Sequence, residues 1–213
     1  MTELILIRHG QSQANKEGLF AGNYNAPLSD LGFAQAKLTA DYVAKHYKVD
    51  RVYSSTLSRA YSTAQALADI LHADIIKSDA MREICAGKWE GVSFEELEKT
   101  YPHDYQIWRE HIGYARCTGG ESTAELCQRV MAELTRIATQ NDGKTVAIAT
   151  HATPIRVSQC FITHGSIEKM EDVPWSTNAS ITVYRYDNGL WSIAATSIDE
   201  HLAGNQTALP PNV

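Results

Sequence analysis

Leu4-Ile5-Leu6-Ile7-Arg8-His9-Gly10 decides the fold class, because four consecutive aliphatic residues run straight into a basic pair and a glycine. An aliphatic run of this kind fits a central strand of a mostly parallel sheet, covered on both faces, rather than a surface strand alternating with polar residues. In open α/β sheets the carboxyl end of such a strand is where ligands bind. Gly10 lets the backbone turn tightly and approach a ligand, and Arg8 offers a planar fork of donors matched to phosphate oxygens. His9, with a side-chain pKa of roughly 6.5 when unperturbed, is pushed by the adjacent guanidinium toward its neutral, nucleophilic form. The pair predicts an anion site.

Downstream, the elements alternate in the α/β manner. A loop through Gly22 and Pro27 leads to Ser29, a good N-cap, and to a helix ending near His46 with Leu31, Ala34, Leu38 and Tyr42 on one face. Arg51 to Tyr53 reads as a second strand. Ser58 is expected to cap a helix carrying Ala60, Ala64, Leu67 and Leu71 at helical spacing, and Asp74 to Lys77 reads as a third strand. Phe94 to Tyr114, rich in charge and aromatics, reads as an inserted helical region. From Ser122 a longer helix buries Leu126, Val130, Leu134 and Ile137; Thr145 to Ala149 follows as a buried strand ending in Thr150-His151. Pro154 fits the first turn of the next helix. Ser180 to Tyr186 and Leu190 to Ser197 form a hairpin around Asn188-Gly189, and the tail Ala208 to Val213 is expected to be mobile. The fold class predicted is a three-layer α/β/α sandwich with a mostly parallel central sheet. A small helical cap is inserted at about 90–120 in a single domain spanning 1–213.

Composition bounds the function. The chain has 213 residues, 44% hydrophobic and 21% charged, enough for one sizeable core. A net charge of -6 argues against a nucleic-acid or anionic-membrane surface, so an anionic substrate has to be met by local arginines. Met1-Thr2-Glu3 and four aliphatics make neither a signal peptide nor a membrane span, and a cytoplasmic protein is expected. Cys85, Cys117, Cys127 and Cys160 form no C-x-x-C pair, which reads as reduced thiols without a zinc site. Six of the histidines (His46, His72, His103, His111, His164 and His201) sit in polar surroundings and read as solvated surface. No metal or other cofactor is called for, and homo-oligomerisation is left open.

The chemistry of the first strand recurs. The second strand delivers Ser54-Ser55-Thr56 and then Arg59 in the first turn of a helix, where backbone N–H groups and the dipole favour phosphate. The late strand delivers His151 as the first delivers His9. Two histidines and two arginines at one edge of one sheet are hard to explain as packing.

These residues resemble the histidine phosphatase superfamily, which includes cofactor-dependent phosphoglycerate mutases and many phosphomonoesterases, and the resemblance covers nearly the whole chain. Arg8-His9-Gly10 matches its signature, and Gln11-Ser12-Gln13-Ala14-Asn15 its polar loop, which implies that Ser12 and Asn15 contact the phosphoryl group. Pro27-Leu28-Ser29-Asp30-Leu31-Gly32 and Tyr53-Ser54-Ser55-Thr56-Leu57-Ser58-Arg59-Ala60 are further family blocks. Arg82-Glu83 before Gly87-Lys88-Trp89-Glu90-Gly91 looks like the proton-donor segment, Thr118-Gly119-Gly120-Glu121-Ser122 like the segment opening the long helix, and Ala149-Thr150-His151 carries the second histidine.

The resemblance implies that His9 attacks phosphorus to form a phosphohistidine and that Arg8, Arg59 and His151 stabilise the charge on the transferring group. It also implies that Glu83 protonates the leaving oxygen and then accepts a proton from water, with Glu90 and Glu121 as alternatives. No metal is needed in this scheme. The chain departs from the family at Ala152, where many members have Gly after the second histidine, and at Ala21-Gly22, where the mutases have Thr before Gly; Gly22 and Ala152 are kept as substrate-binding positions. Near Trp108-Arg109 the mutases continue with basic residues and a longer Pro-rich insertion, whereas here Glu110 follows. A shorter, less basic cap admits water, favouring a phosphatase acting on a small phosphorylated metabolite. A phosphoglycerate mutase is the alternative, and a non-catalytic phosphate-binding module the third reading.

Overall fold

A computed structural model describes residues 1–208. Thr2–Arg8 forms β1, and its alternate residues feed two separate cores: Leu4 and Leu6 pack to one side, Ile5 and Ile7 to the other. Both faces are dry, which is why the run reads as uninterrupted aliphatic. Two short elements follow, α1 (Gln13–Glu17) and β2 (Leu19–Phe20). Then come α2 (Asp30–His46), β3 (Arg51–Ser55), α3 (Ser58–Leu71) and β4 (Ile75–Ser78). The cap contributes β5 (Val92–Ser93), α4 (Phe94–Thr100) and α5 (Pro102–Glu110), closed by a 3-10 turn at Ile112–Tyr114. The chain returns through α6 (Thr123–Gln140), β6 (Thr145–Thr150) and α7 (Ala152–His164) to the hairpin β7 (Ile181–Asp187) and β8 (Leu190–Ile198).

The main sheet runs β4-β3-β6-β1-β7-β8, with β4, β3, β6 and β1 parallel and β7 antiparallel to both its neighbours. Helices α2 and α3 cover one face, their Ala40, Val43, Ala60, Ala64 and Leu67 meeting Ile5, Ile7, Val52, Ala147 and Ala149. Helices α6 and α7 cover the other. There the Leu126, Val130, Leu134 and Ile137 stripe meets Leu4, Leu6, Val146 and Ile148, and the same core runs on into the cap. This is the three-layer α/β/α sandwich with a helical cap. The parallel order brings the carboxyl ends of β1, β3 and β6 side by side, which places the site.

Several local expectations need correcting. Helix α2 buries Gly32, Gln35, Ala36, Thr39, Ala40 and Val43, not Leu31, Ala34, Leu38 and Tyr42, which are half-buried or, at Ala34, exposed. The reason is close approach: a Cβ at Gly32 would lie 2.0 Å from the Gln11 carbonyl oxygen. Hydrogen bonds also draw Gln35 inward toward the Gln11 N–H (2.8 Å) and Thr39 toward the Ala179 carbonyl (2.9 Å). Ser58 does not cap α3. The N-cap is Leu57, and the helix-start N–H of Ser58 is met from outside by Asn25 Oδ1 at 2.8 Å. Within the polar loop, Ser12 and Asn15 form a capping box that starts α1.

Among the histidines read as solvated, His201 is half-buried, with Nε2 2.8 Å from Thr39 Oγ1 and its ring stacked on Tyr42. Asn188 and Gly189 both take positive φ, as a type I′ hairpin turn requires. Cys117, Cys127 and Cys160 are buried and Cys85 is exposed, all as free thiols. Of the tail Ala208 to Val213, residues 209–213 lie outside the described residues.

Candidate active site

His9 sits just past β1 and is held in one tautomer. Its Nδ1 lies 2.7 Å from the Gly10 carbonyl and must donate there, which leaves the Nε2 lone pair to accept from Arg59 Nε at 3.2 Å. Burial, reinforced by Arg59 and Arg8, holds its pKa well below 6.5. The ring is therefore a neutral imidazole whose Nε2 lone pair faces the Arg59 guanidinium.

Arg8 and Arg59 are almost fully buried, and burial brings each down to about 10, so both remain charged at neutral pH. Arg8 Nη1 donates to the Ser176 carbonyl while its Nε is buried without a partner. Arg59 is spread over a loop, donating from Nη1 to Tyr24 O at 2.9 Å and from Nη2 to Gly22 O at 2.7 Å. His151 lies beside His9, ring centroids 5.0 Å apart. Ser55 Oγ, 2.8 Å from its Nε2, accepts from the Leu57 N–H and finds no other acceptor for its own proton among the described residues, so that proton goes to His151 and the buried, unpartnered Nδ1 is left as an N–H donor. Burial foremost holds His151 neutral as well, its pKa well below 6.5. The unmet Arg8 donor beside a neutral histidine is one a phosphoryl group can satisfy, while the unmet His151 Nδ1 stays buried behind the lining.

Arg8, His9 and Arg59 open into a cavity of about 80 Å3, lined at its floor by Arg8, His9, Asn15, Arg59 and Glu83. Glu83 Oε1 accepts from the Ile84 N–H at 2.9 Å, and Oε2 lies 3.4 Å from the Thr153 N–H at the start of α7. The other carboxylates considered are occupied elsewhere. Glu90 braces the loop by accepting from the Asn23 and Ala86 N–H groups, and Glu121 pairs with Arg129 at 2.8 Å. Gly22 and Ala152 also line the cavity. Asn15 Oδ1 is consumed by Ser12 N and Asn178 Nδ2, so its amide Nδ2 is the atom left to turn to a ligand. Ser12 is fully buried as the α1 cap and is not part of the lining, and His151 stands behind it.

Of the cap aromatics, Phe94 and Trp108 line the cavity, whereas Trp89 and Tyr105 are core and Tyr114 is exposed. Leu19, Phe20 and Thr153 line it without having been singled out in the sequence. So does Trp175, in the loop after α7. Among the described residues no three His, Cys, Asp or Glu side chains converge as metal donors, and no helix is long and apolar enough to cross a membrane.

The chain matches the family model of the histidine phosphatase superfamily (branch 1) over residues 4–199. Phosphoserine phosphatase 1 of Hydrogenobacter thermophilus is 33% identical over 205 residues, 95% of each chain. Among solved structures, Bacillus stearothermophilus YhfR superposes with a TM-score of 0.90 at 24% identity, over 95% of this chain and all of that one. A phosphoserine phosphatase mutant from Entamoeba histolytica, solved in complex with phosphoserine, superposes with a TM-score of 0.83 at 27% identity over the same shares.

Proposed function

This chain belongs to the histidine phosphatase superfamily, and within it we propose a phosphomonoester hydrolase that works through a phosphohistidine on small phosphorylated metabolites. The observation that carries the reading is the His9 ring, its Nδ1–H tied to Gly10 O and its Nε2 lone pair held on the buried Arg59 guanidinium, in a cavity that Arg8 and Glu83 also line. Nε2 attacks phosphorus as the P–O bond to the alcohol breaks, and protonated Glu83 gives its proton to the departing oxygen. Water then attacks the phosphohistidine, Glu83 takes a water proton, and the P–N bond breaks to release inorganic phosphate and regenerate His9. Because a loose transition state spreads charge over the equatorial oxygens, Arg8, Arg59 and His151 supply the stabilisation, with Asn15 positioning the group. That set provides the charge without a metal or other cofactor.

The cap supports hydrolysis over isomerisation. Arg109, the cation that stands nearest the mutase pattern, is turned outward and paired with Glu98 at 3.1 Å, so it does not enter the cavity. Residues 90–120 act as the cap of one domain spanning 1–213 in a cytoplasmic enzyme whose partner is its substrate, not nucleic acid or membrane.

The test is a panel of phosphate esters with chelator present, run beside phosphoglycerate isomerisation with and without a bisphosphoglycerate primer. Phosphate release is expected to persist in chelator and to exceed isomerisation. His9→Ala should lose turnover and the acid-labile phosphoenzyme while keeping its fold. Primed isomerisation outrunning phosphate release on every ester would establish the mutase alternative, and no turnover of any kind would leave a phosphate-binding module.

A further inference from the structure

Above the floor, the cavity is built from rings. Phe20, Phe94 and Trp108 pack edge to face, with centroids 5.1 Å apart for Phe20 and Trp108 and 6.0 Å for Phe20 and Phe94. Trp175 tilts against Trp108 at 6.3 Å. Trp175 is pinned from behind: the Arg156 guanidinium lies 4.3 Å over its ring, itself locked by bonds to Val173 O (2.6 Å) and Met170 O (2.8 Å). This wall is preorganised, so a ligand does not have to order it.

The charges of the cavity are equally specific. Its lining contains two cations, Arg8 and Arg59, and both are at the floor where the phosphoryl group binds. The cations of the cap are spent elsewhere, Arg109 on Glu98, Lys99 on Glu95 and Arg116 on Glu125, and Lys88 just before it is exposed outside the lining. Away from the floor, a carboxylate on the alcohol half of a substrate would meet aromatic faces, Thr153 at the start of α7 and Glu83, with no cation of its own. Burying an unpaired charge against such a surface is costly.

We propose that the alcohol half of the substrate is uncharged and apolar, an alkyl or aryl group seated against the wall made by Trp108 and Trp175, and that this chamber selects against phosphomonoesters bearing a carboxylate. The inference rests on the hydrolase reading and narrows its substrate class. It sets this chain apart from relatives named for phosphoserine.

A series of n-alkyl phosphates from ethyl to hexyl isolates the contact, because the leaving alcohols have nearly the same basicity. With phosphate release measured as kcat/KM, the native protein should gain about three- to fourfold per methylene until the chamber is filled. Phosphoserine and 3-phosphoglycerate should fall at least about tenfold below butyl phosphate, the desolvation of an unpaired carboxylate being worth that much or more. Trp175→Ala should flatten the series, losing most on hexyl phosphate and least on ethyl phosphate, with its fold checked by circular dichroism. If that variant does not fold, Trp175→Phe should lower the slope partway. A flat series in the native protein, or a preference for phosphoserine, overturns the inference while leaving the hydrolase reading intact; release from none of the esters overturns both.

Discussion

Replacing Glu83 with Gln separates a proton donor from a structural carboxylate. The native side chain takes one good backbone hydrogen bond, from Ile84 N–H at 2.9 Å, and one long one, from Thr153 N–H at 3.4 Å. A glutamine keeps its carbonyl on Ile84 and turns its NH2 toward Thr153, giving up only the longer contact. The cost in stability is on the order of 1 kcal/mol, a shift of about 2–4 °C in Tm for a chain of this size. The chemical cost is far larger where a proton is needed. General acid catalysis contributes roughly 10²- to 10⁴-fold, so butyl phosphate, whose alkoxide leaves only with a proton, should slow by that factor. A nitrophenyl ester leaves nearly unaided and should slow by less than about tenfold. The assay is single-turnover release of the alcohol, which confines the measurement to phosphoenzyme formation and keeps the later water step out of it. Equal losses on the two esters, with the fold intact, would refute Glu83 as the acid.

Other outcomes follow from the same geometry. Arg59→Lys keeps the charge but loses the fork that reaches His9, Gly22 and Tyr24, and the loss of one charge-assisted contact to the transferring group should lower kcat/KM by about ten- to 150-fold; a change under about threefold would remove Arg59 from the machinery. Because burial holds His9 and His151 well below 6.5, the unfolded chain binds more protons than the folded one on acidification. Their contribution is therefore full above about pH 6.5 and is lost below it, by up to about 1.4 kcal/mol per pH unit for each histidine. Urea melts at pH 7.5 and 5.5 read this directly, and an unchanged midpoint would contradict it. Asn178 donates to His9 O and Asn15 Oδ1 at 3.2 Å each and accepts from Thr207 Oγ1 at 2.9 Å. Asn178→Ala should cost about 1–3 kcal/mol and lower kcat/KM as Asn15 loosens; unaltered kinetics would show that Asn15 does not need this brace.

What the sequence made legible is what local chemistry dictates. A strand buried on both faces has to be aliphatic throughout, so β1 and β6 announced themselves, and the residues immediately after them, His9 and His151, inherited a fixed address at the sheet edge. Arg59 was legible for the same reason, standing in the first turn after β3. The buried face of α2 was not. Apolar periodicity pointed to Leu31 and Leu38, but the packing was settled by backbone approach at Gly32 and by long-range partners for Gln35 and Thr39, none of which hydrophobic spacing encodes. Helix α1 has five residues, too few for a period to show, and rests on the reciprocal Ser12 and Asn15 cap. Trp175 lies far along the chain from Trp108 and meets it only through the fold.

The choice of partners around Arg59 shows why the loop before Pro27 matters although it offers no side chain to the phosphoryl group. The hydroxyl absent at Ala21 is not replaced by another donor; instead the carbonyls of Gly22 and Tyr24 aim the guanidinium. Gly22 holds a positive φ of 48°, and a Cβ there would come within 2.6 Å of Ala86 Cβ, so the loop lies tight against the segment carrying Glu83. Glu90 fixes that contact by accepting from both Asn23 and Ala86. The arginine, the loop and the carboxylate segment are thus one braced unit. In the proposed mechanism Arg59 Nε, which covers the His9 lone pair, has to pass its hydrogen bond to an entering phosphoryl oxygen before Nε2 attacks. On that reading, binding of the phosphoryl group and exposure of the attacking nitrogen are the same event.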